Sequence, residues 1–481
     1  MSAEYTCRST NPWADSSTIY AGLVVNAVLD LDILHEKQKE LISLWPILGG
    51  TVVQTTKPWS FTCGSNVDFE SRTLDETVST YFPNKWGNMT GPSGSTTLDP
   101  AIVDGKFLFA IEPAPSTIFR IRVTVLRDAT LICFGITHQV TGAGGCFEVV
   151  SAFCDLLANR AIPRFALPPD ARGMKLSDHI TGCDDNVTSD EIGDFEPPEK
   201  NWNIGVVKAA TMMWRVLIAQ FWKTLGLREK LTEKYIHLPG GWVDEVRNQA
   251  QKELSSLPEA SGVELTRNDI ISAWYLKTIH GPSSSSGCDT TPVDFYVAIN
   301  YKGLLNPKTT GVRSEEGLSA EKQQTQYLHH SVAIFRCMFS AYELQNDSIS
   351  SIAWTIRRAT LHYKQPSSIK KYVRFVEKNN SNLLVVDIRA SNPFSMVGLS
   401  SWTTYNYMAL DFSGAIGDRK APQDGVRVTF VNPLALSPIS GLTLYTLKDG
   451  KGGYLIRAAN TKTQWEKLEE SSSMENLFPV L

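Results

Sequence analysis

A strand that runs into a histidine and then into a run of small residues sets the strongest limit on how this chain folds. Thr130–Ile136 is apolar and β-branched, which marks a strand. It continues as Ile136-Thr137-His138-Gln139-Val140-Thr141-Gly142-Ala143-Gly144-Gly145-Cys146-Phe147, and Glu148–Ala158 then carries helical spacing. Strand, glycine-rich turn and helix in that order leave an imidazole at a strand terminus beside open backbone, where folded chains meet ligands. With an ordinary pKa of ~6.5, histidine is the natural general base at neutral pH. On this local segment alone, a core or loop histidine with a satisfied hydrogen bond is the plainer reading.

The remaining chain reads as mixed α/β. Tyr20–Leu29, Phe107–Ile111, Phe119–Val125, Val293–Ile299 and Leu383–Val386 are strand candidates. Leu31–Trp45 has helical spacing, with Asp30 or Asp32 as N-cap and Pro46 at its end. Ser350–Tyr363 and Thr463–Glu470 also read as helices, and Leu442–Leu447 with Gly453–Ala458 as a hairpin. At 481 residues the chain has room for two to four domains. Asp184–Ile204, acidic and containing Pro197-Pro198, is the best boundary, and Gly281–Pro292 is a second flexible stretch. The division expected is 1–190, a crossover linker 191–225, and 226–481.

Composition removes several classes. With 46 Lys+Arg against 50 Asp+Glu, net charge −4, neither nucleic acid nor an anionic membrane is the expected partner. The eight cysteines form no CxxC pair, so neither a disulfide framework nor a zinc site is indicated. Met1–Ser17 lacks the basic start and apolar run of a secretory signal, and the N-x-S/T triplets at Asn88, Asn186, Asn346 and Asn379 carry no weight without one. Val206–Leu227 is broken by Lys208, Arg215 and Lys223, which suits an amphipathic or buried helix better than a membrane span. A cytoplasmic protein with no stable membrane insertion is the expectation.

Distant segments change the weight given to His138. Leu44-Trp45-Pro46-Ile47-Leu48-Gly49-Gly50, Asp269-Ile270-Ile271-Ser272-Ala273-Trp274, Asn300-Tyr301-Lys302-Gly303-Leu304-Leu305-Asn306-Pro307, Ser400-Ser401-Trp402 and Asp411-Phe412-Ser413-Gly414-Ala415-Ile416-Gly417 follow in order. With the histidine turn, they resemble the BAHD family of acyl-CoA-dependent acyltransferases, its fungal secondary-metabolism branch most closely. The resemblance runs from about Trp45 to the C-terminus. It implies two chloramphenicol-acetyltransferase-like domains, each with a mixed β-sheet flanked by helices, meeting at a solvent channel. It also implies a monomer, no permanently bound cofactor and no metal, with acyl-CoA as co-substrate and a small-molecule metabolite as acceptor. His138 would take the acceptor's proton, and Ser400 and Trp402 would donate hydrogen bonds to the oxyanion. Thr137, Thr141 and Gly142 would line the substrate side by adjacency, Lys302 would serve the coenzyme or reach toward the turn, and Asp411, Phe412 and Gly414 would shape a structural turn.

Three departures stand out. The family motif is His-x-x-x-Asp, and Gly142 stands where the aspartate belongs. In the family that aspartate pairs with an arginine, whose matching position here is Leu304. Loss of one half would strand a buried charge at ~3–5 kcal/mol, whereas loss of both is near neutral, so the double change argues for a remodelled site. Ser413 replaces a family glycine, and costs ~1 kcal/mol or more only if its φ is positive. His329-His330 stands where glycine-asparagine is common; solvated or channel-lining histidines are expected, since no third metal ligand is visible. The leading expectation is transfer of a short acyl group, acetyl first, to a metabolite hydroxyl. The alternative is a repurposed scaffold in which His138 drives cyclisation, isomerisation or rearrangement of a polyketide or terpenoid. A non-catalytic binding protein is the third reading.

Overall fold

The computed structural model describes residues 4–6, 18–53, 60–81, 107, 117–166, 175–182, 214, 231–280, 292–306, 325–379, 396–419, 421–436 and 443–470. The architecture is mixed α/β, built on two main sheets with helices packed on them. The first sheet has five strands, in the order Val428–Leu436, Thr18–Val25, Thr130–Thr137, Phe119–Val125, Phe69–Thr73. All its neighbours are antiparallel except the last pair, which is parallel. The second has six, in the order Val332–Ser340, Pro292–Asn300, Met396–Ser401, Thr443–Lys448, Tyr454–Asn460, Thr232–Leu238, with two parallel pairs at its centre.

Thr18–Val25 is apolar along its length because both of its faces are covered: all eight positions are buried. Ile19, Ala21, Leu23 and Val25 join a core with Leu34 and Leu41 of the Leu31–Leu44 helix and Val149 and Phe153 of the Ala143–Leu157 helix. Tyr20 and Val24, on the opposite face, pack with Leu131 and Cys133 and with Tyr235 and Leu455 of the second sheet. The two sheets are therefore joined by a core of their own. At its edge Asn432 Oδ1 accepts from Tyr235 Oη and, at 2.9 Å, from Arg457 Nη1. The first sheet is completed by Val428–Leu436, paired antiparallel to Thr18–Val25, so residues far down the chain close the N-terminal sheet.

Asp30 is the cap of the first helix, its Oδ1 accepting from Asp32 N at 2.9 Å and Ile33 N at 3.2 Å. The expected helix at Glu148–Ala158 starts five residues earlier, at Ala143. The expected linker 191–225 and the Asp184–Ile204 boundary lie outside the described residues, apart from Trp214, which is helical and exposed. Leu383–Val386 and residues 281–291 also lie outside them, as does Phe107–Ile111 apart from Phe107, which is helical and buried. Among the described residues, no helix is long and apolar enough to cross a membrane, and Cys63, Cys133, Cys146, Cys154 and Cys337 are free thiols.

Candidate active site

His138 follows the last residue of a central strand, Thr137, and sits four residues before the N-cap of the next helix, Gly142. Its Nδ1 lies 3.0 Å from the Thr141 carbonyl oxygen. A carbonyl only accepts, so Nδ1 carries the hydrogen and Nε2 is left with the lone pair. Burial pushes the imidazole below its ordinary 6.5, which keeps it neutral and basic at neutral pH.

The turn is closed by a second segment, Leu328–Val332. Thr141 Oγ1 donates to Leu328 O, and His330 N donates to Val140 O at 3.1 Å. Gly145 is where this approach is closest: a Cβ there would overlap Thr141 Oγ1 and lie 2.5 Å from Leu328 O. Glycine at 145 is thus required by packing inside a helix, and the sequence reading of it as turn was incorrect for that reason. The Leu328–Val332 segment is bound in turn to the Pro292–Asn300 strand exit, by Tyr301 N to Ser331 O at 2.8 Å and Ser331 Oγ to Asn300 Oδ1 at 3.2 Å.

The other expected site residues are placed as follows. Thr141 is buried and its hydroxyl donates to Leu328 O, so it holds the turn. Thr137 is buried, and its hydroxyl donates to Thr117 O at 3.3 Å. Gly142 points at protein: its Cβ would lie 3.3 Å from Val332 Cγ2 and 3.8 Å from His330 Cδ2. Lys302 Nζ is 3.2 Å from Glu148 Oε1, on the helix that follows the histidine turn, so it reaches toward the turn and forms an ion pair there. His329 and His330 are both buried, not solvated, and burial drives His329 down to about 3. No group of three metal-binding side chains occurs among the described residues.

The Ser400-Ser401-Trp402 strand end reaches the same helix through aromatic contacts. The Trp402 ring stacks on Tyr407 at 5.7 Å, Tyr407 meets Phe147 edge-on at 5.0 Å, and Tyr405 stacks on Phe147 at 5.6 Å. Trp402 Nε1 donates to Ser400 Oγ at 3.1 Å. The indole hydrogen is used on Ser400, and the Ser400 hydroxyl keeps its own hydrogen to give. Ser401 is held from behind by Asn268 Nδ2 at 2.8 Å, a residue adjoining the Asp269–Trp274 segment that sequence reading passed over. Asp411 Oδ1 accepts from Ser413 N at 2.8 Å, Phe412 is buried, and a Cβ on Gly414 would overlap Leu157 O. Ser413 lies in a 3-10 turn and is not among the residues with positive φ, so the departure from glycine carries no strain.

A two-sheet α/β fold with a strand-end histidine of fixed tautomer, and a Ser-Ser-Trp strand end linked by aromatic contacts to the helix that follows it, defines a class, and the comparisons agree with it. The chain is an acyltransferase enzyme of one family with the fungal acetyltransferase that follows, and its fold is that of the BAHD acyltransferases. It is 94% identical over 481 residues, all of both chains, to the acetyltransferase peniE of Penicillium patulum. It is 20% identical over 439 residues, 82% of this chain and 73% of the other, to the acetyltransferase BOT5 of Botryotinia fuckeliana. Among solved structures it resembles TRI101 of F. sporotrichioides complexed with coenzyme A and T-2, at TM-score 0.67, 14% identity and 95% of each chain. It also resembles vinorine synthase, at TM-score 0.60 and 10% identity, covering 96% of this chain and 91% of that one. No protein-family model matches the chain.

Proposed function

We propose that this chain transfers an acetyl or similarly short acyl group from acyl-CoA to a hydroxyl of a small fungal metabolite, with His138 as general base. The hydrogen bond from Nδ1 to Thr141 O carries this reading, because it leaves a neutral Nε2 to accept the hydroxyl proton. The acceptor oxygen attacks the thioester carbonyl, and the C–O bond forms as the carbonyl becomes an oxyanion. The Ser400 hydroxyl, held by Trp402, donates to that oxyanion. The C–S bond then breaks, and the thiol of coenzyme A leaves with the proton from His138.

Acetyl is favoured because peniE and BOT5 are named acetyltransferases. A coenzyme-bound donor and a small acceptor are favoured because TRI101 was solved with coenzyme A and T-2. The family likeness supports a monomer, and the free thiols fit a reducing compartment such as the cytoplasm. The test is incubation of the purified protein with acetyl-CoA and a panel of hydroxylated terpenoids and polyketides. Thiol release matched by acetylated product is expected. No coenzyme binding by calorimetry at millimolar concentration contradicts the donor.

A further inference from the structure

Position 142, where the family motif has a carboxylate, carries no side chain in this protein, and an imidazole from another segment stands against that space. We propose that His330 is a positioning residue for His138: the side chain bracing the catalytic imidazole comes from the segment across the turn and packs beside the space Gly142 leaves. The proposal rests on the reading of His138 as the base.

Three observations carry it. The ring centroids of His138 and His330 are 5.4 Å apart, with planes tilted by 38°. The His330 main chain is fixed to the turn by its N–H to Val140 O at 3.1 Å. A Cβ at Gly142 would come within 3.8 Å of His330 Cδ2 and 3.9 Å of its Nε2, so a carboxylate carried there competes with the ring for volume in a close-packed interior. With Nδ1 tied to Thr141 O and its ring packed on His330, the His138 imidazole is held in one orientation. The same ring keeps water from that side of His138, and burial is the first cause of its lowered pKa.

Other titratable groups on the packed elements are His329 and Tyr327 beside His330, Cys146 and Glu148 on the Ala143–Leu157 helix, Lys302, Tyr405 and Tyr407. Burial holds His329, Cys146, Tyr405 and Tyr407 in their neutral forms near neutral pH. Lys302 and Glu148 offset each other as an ion pair at 3.2 Å. Burial also keeps His330 itself neutral, and a charge on His138 opposes a second charge there.

The experiment compares the full-length protein with His330→Ala and His330→Phe. It reads kcat and KM for acetyl-CoA, the acid limb of kcat/KM, and the His138 imidazole titration by NMR. Removing the ring frees and hydrates His138. His330→Ala should lower kcat about 10- to 100-fold with KM for acetyl-CoA little changed. Its acid limb and the His138 titration should move to higher pH. His330→Phe, which refills the space, should recover most of the kcat loss and return the titration toward the parent position. Parent-like kcat and titration in His330→Ala overturn the proposal, as does His330→Phe behaving like His330→Ala. The NMR titration is independent of turnover. If full activity in His138→Ala removed the base reading, the titration would still report whether His330 sets the His138 ring.

Discussion

Around His138 the turn is closed by neutral groups: the Thr141 hydroxyl on Leu328 O, the His330 amide on Val140 O, and a glycine at the motif's fifth position. Around Asp411 it is closed by a carboxylate, whose Oδ1 accepts from Ser413 N at 2.8 Å. The difference follows the water. Asp411 is exposed, so its charge stays solvated while one oxygen shapes the backbone. Gly142 is buried beside Val332 and His330, where a carboxylate would need a cationic partner. Of these two turns, the exposed one keeps its carboxylate and the buried one does without. Lys302, two positions before Leu304, pairs instead with Glu148, six residues after Gly142.

The sharpest way to break this comparison is to restore the buried charge. Gly142→Asp should destabilise the protein by ~3–5 kcal/mol, read by denaturant unfolding, because the carboxylate enters without a partner. An unchanged midpoint contradicts the account of a paired loss. On the catalytic side, Ser400→Ala should cost ~10²–10³ in kcat with KM for acetyl-CoA nearly constant, and Trp402→Phe less, since the indole acts through Ser400.

Acid separates the two turns further. His329 has a folded-state pKa of about 3, and those of His138 and His330 are also lowered. The unfolded chain, near ~6.5, binds more protons in that interval. Stability from these groups is fully present above about pH 6.5 and falls as pH drops toward 3, by ~1.4 kcal/mol per pH unit for each histidine held neutral. Hydrogen exchange should therefore rise first at residues 137–142 and later at 411–416. The smallest effect is at the Asp411 turn, where Ser413→Gly should change stability by less than ~0.5 kcal/mol because Ser413 is unstrained.

Legibility in the sequence divides along similar lines. Phe119–Val125 was readable to the residue and Thr130–Thr137 to one, since continuous apolar runs between turn signals have few alternatives. The Asp30 cap was readable because its partners are two and three residues away. Gly144 and Gly145 misled the reading of the helix start, since glycine there answers to Tyr405, Thr141 and Leu328, which no local pattern reveals. The motif singled out His138 and Ser400 as candidates. The roles of Thr141, Trp402, Lys302 and His330 depend on which groups the fold brings beside them, and His330 and Lys302 arrive from more than 150 residues away.

The most direct measurement is single-turnover thiol release from acetyl-CoA by His138→Ala, alongside calorimetric coenzyme binding. The account predicts a rate reduced by ~10²–10⁴ with coenzyme affinity and melting temperature unchanged. Thiol release within a few-fold of the parent protein would contradict it.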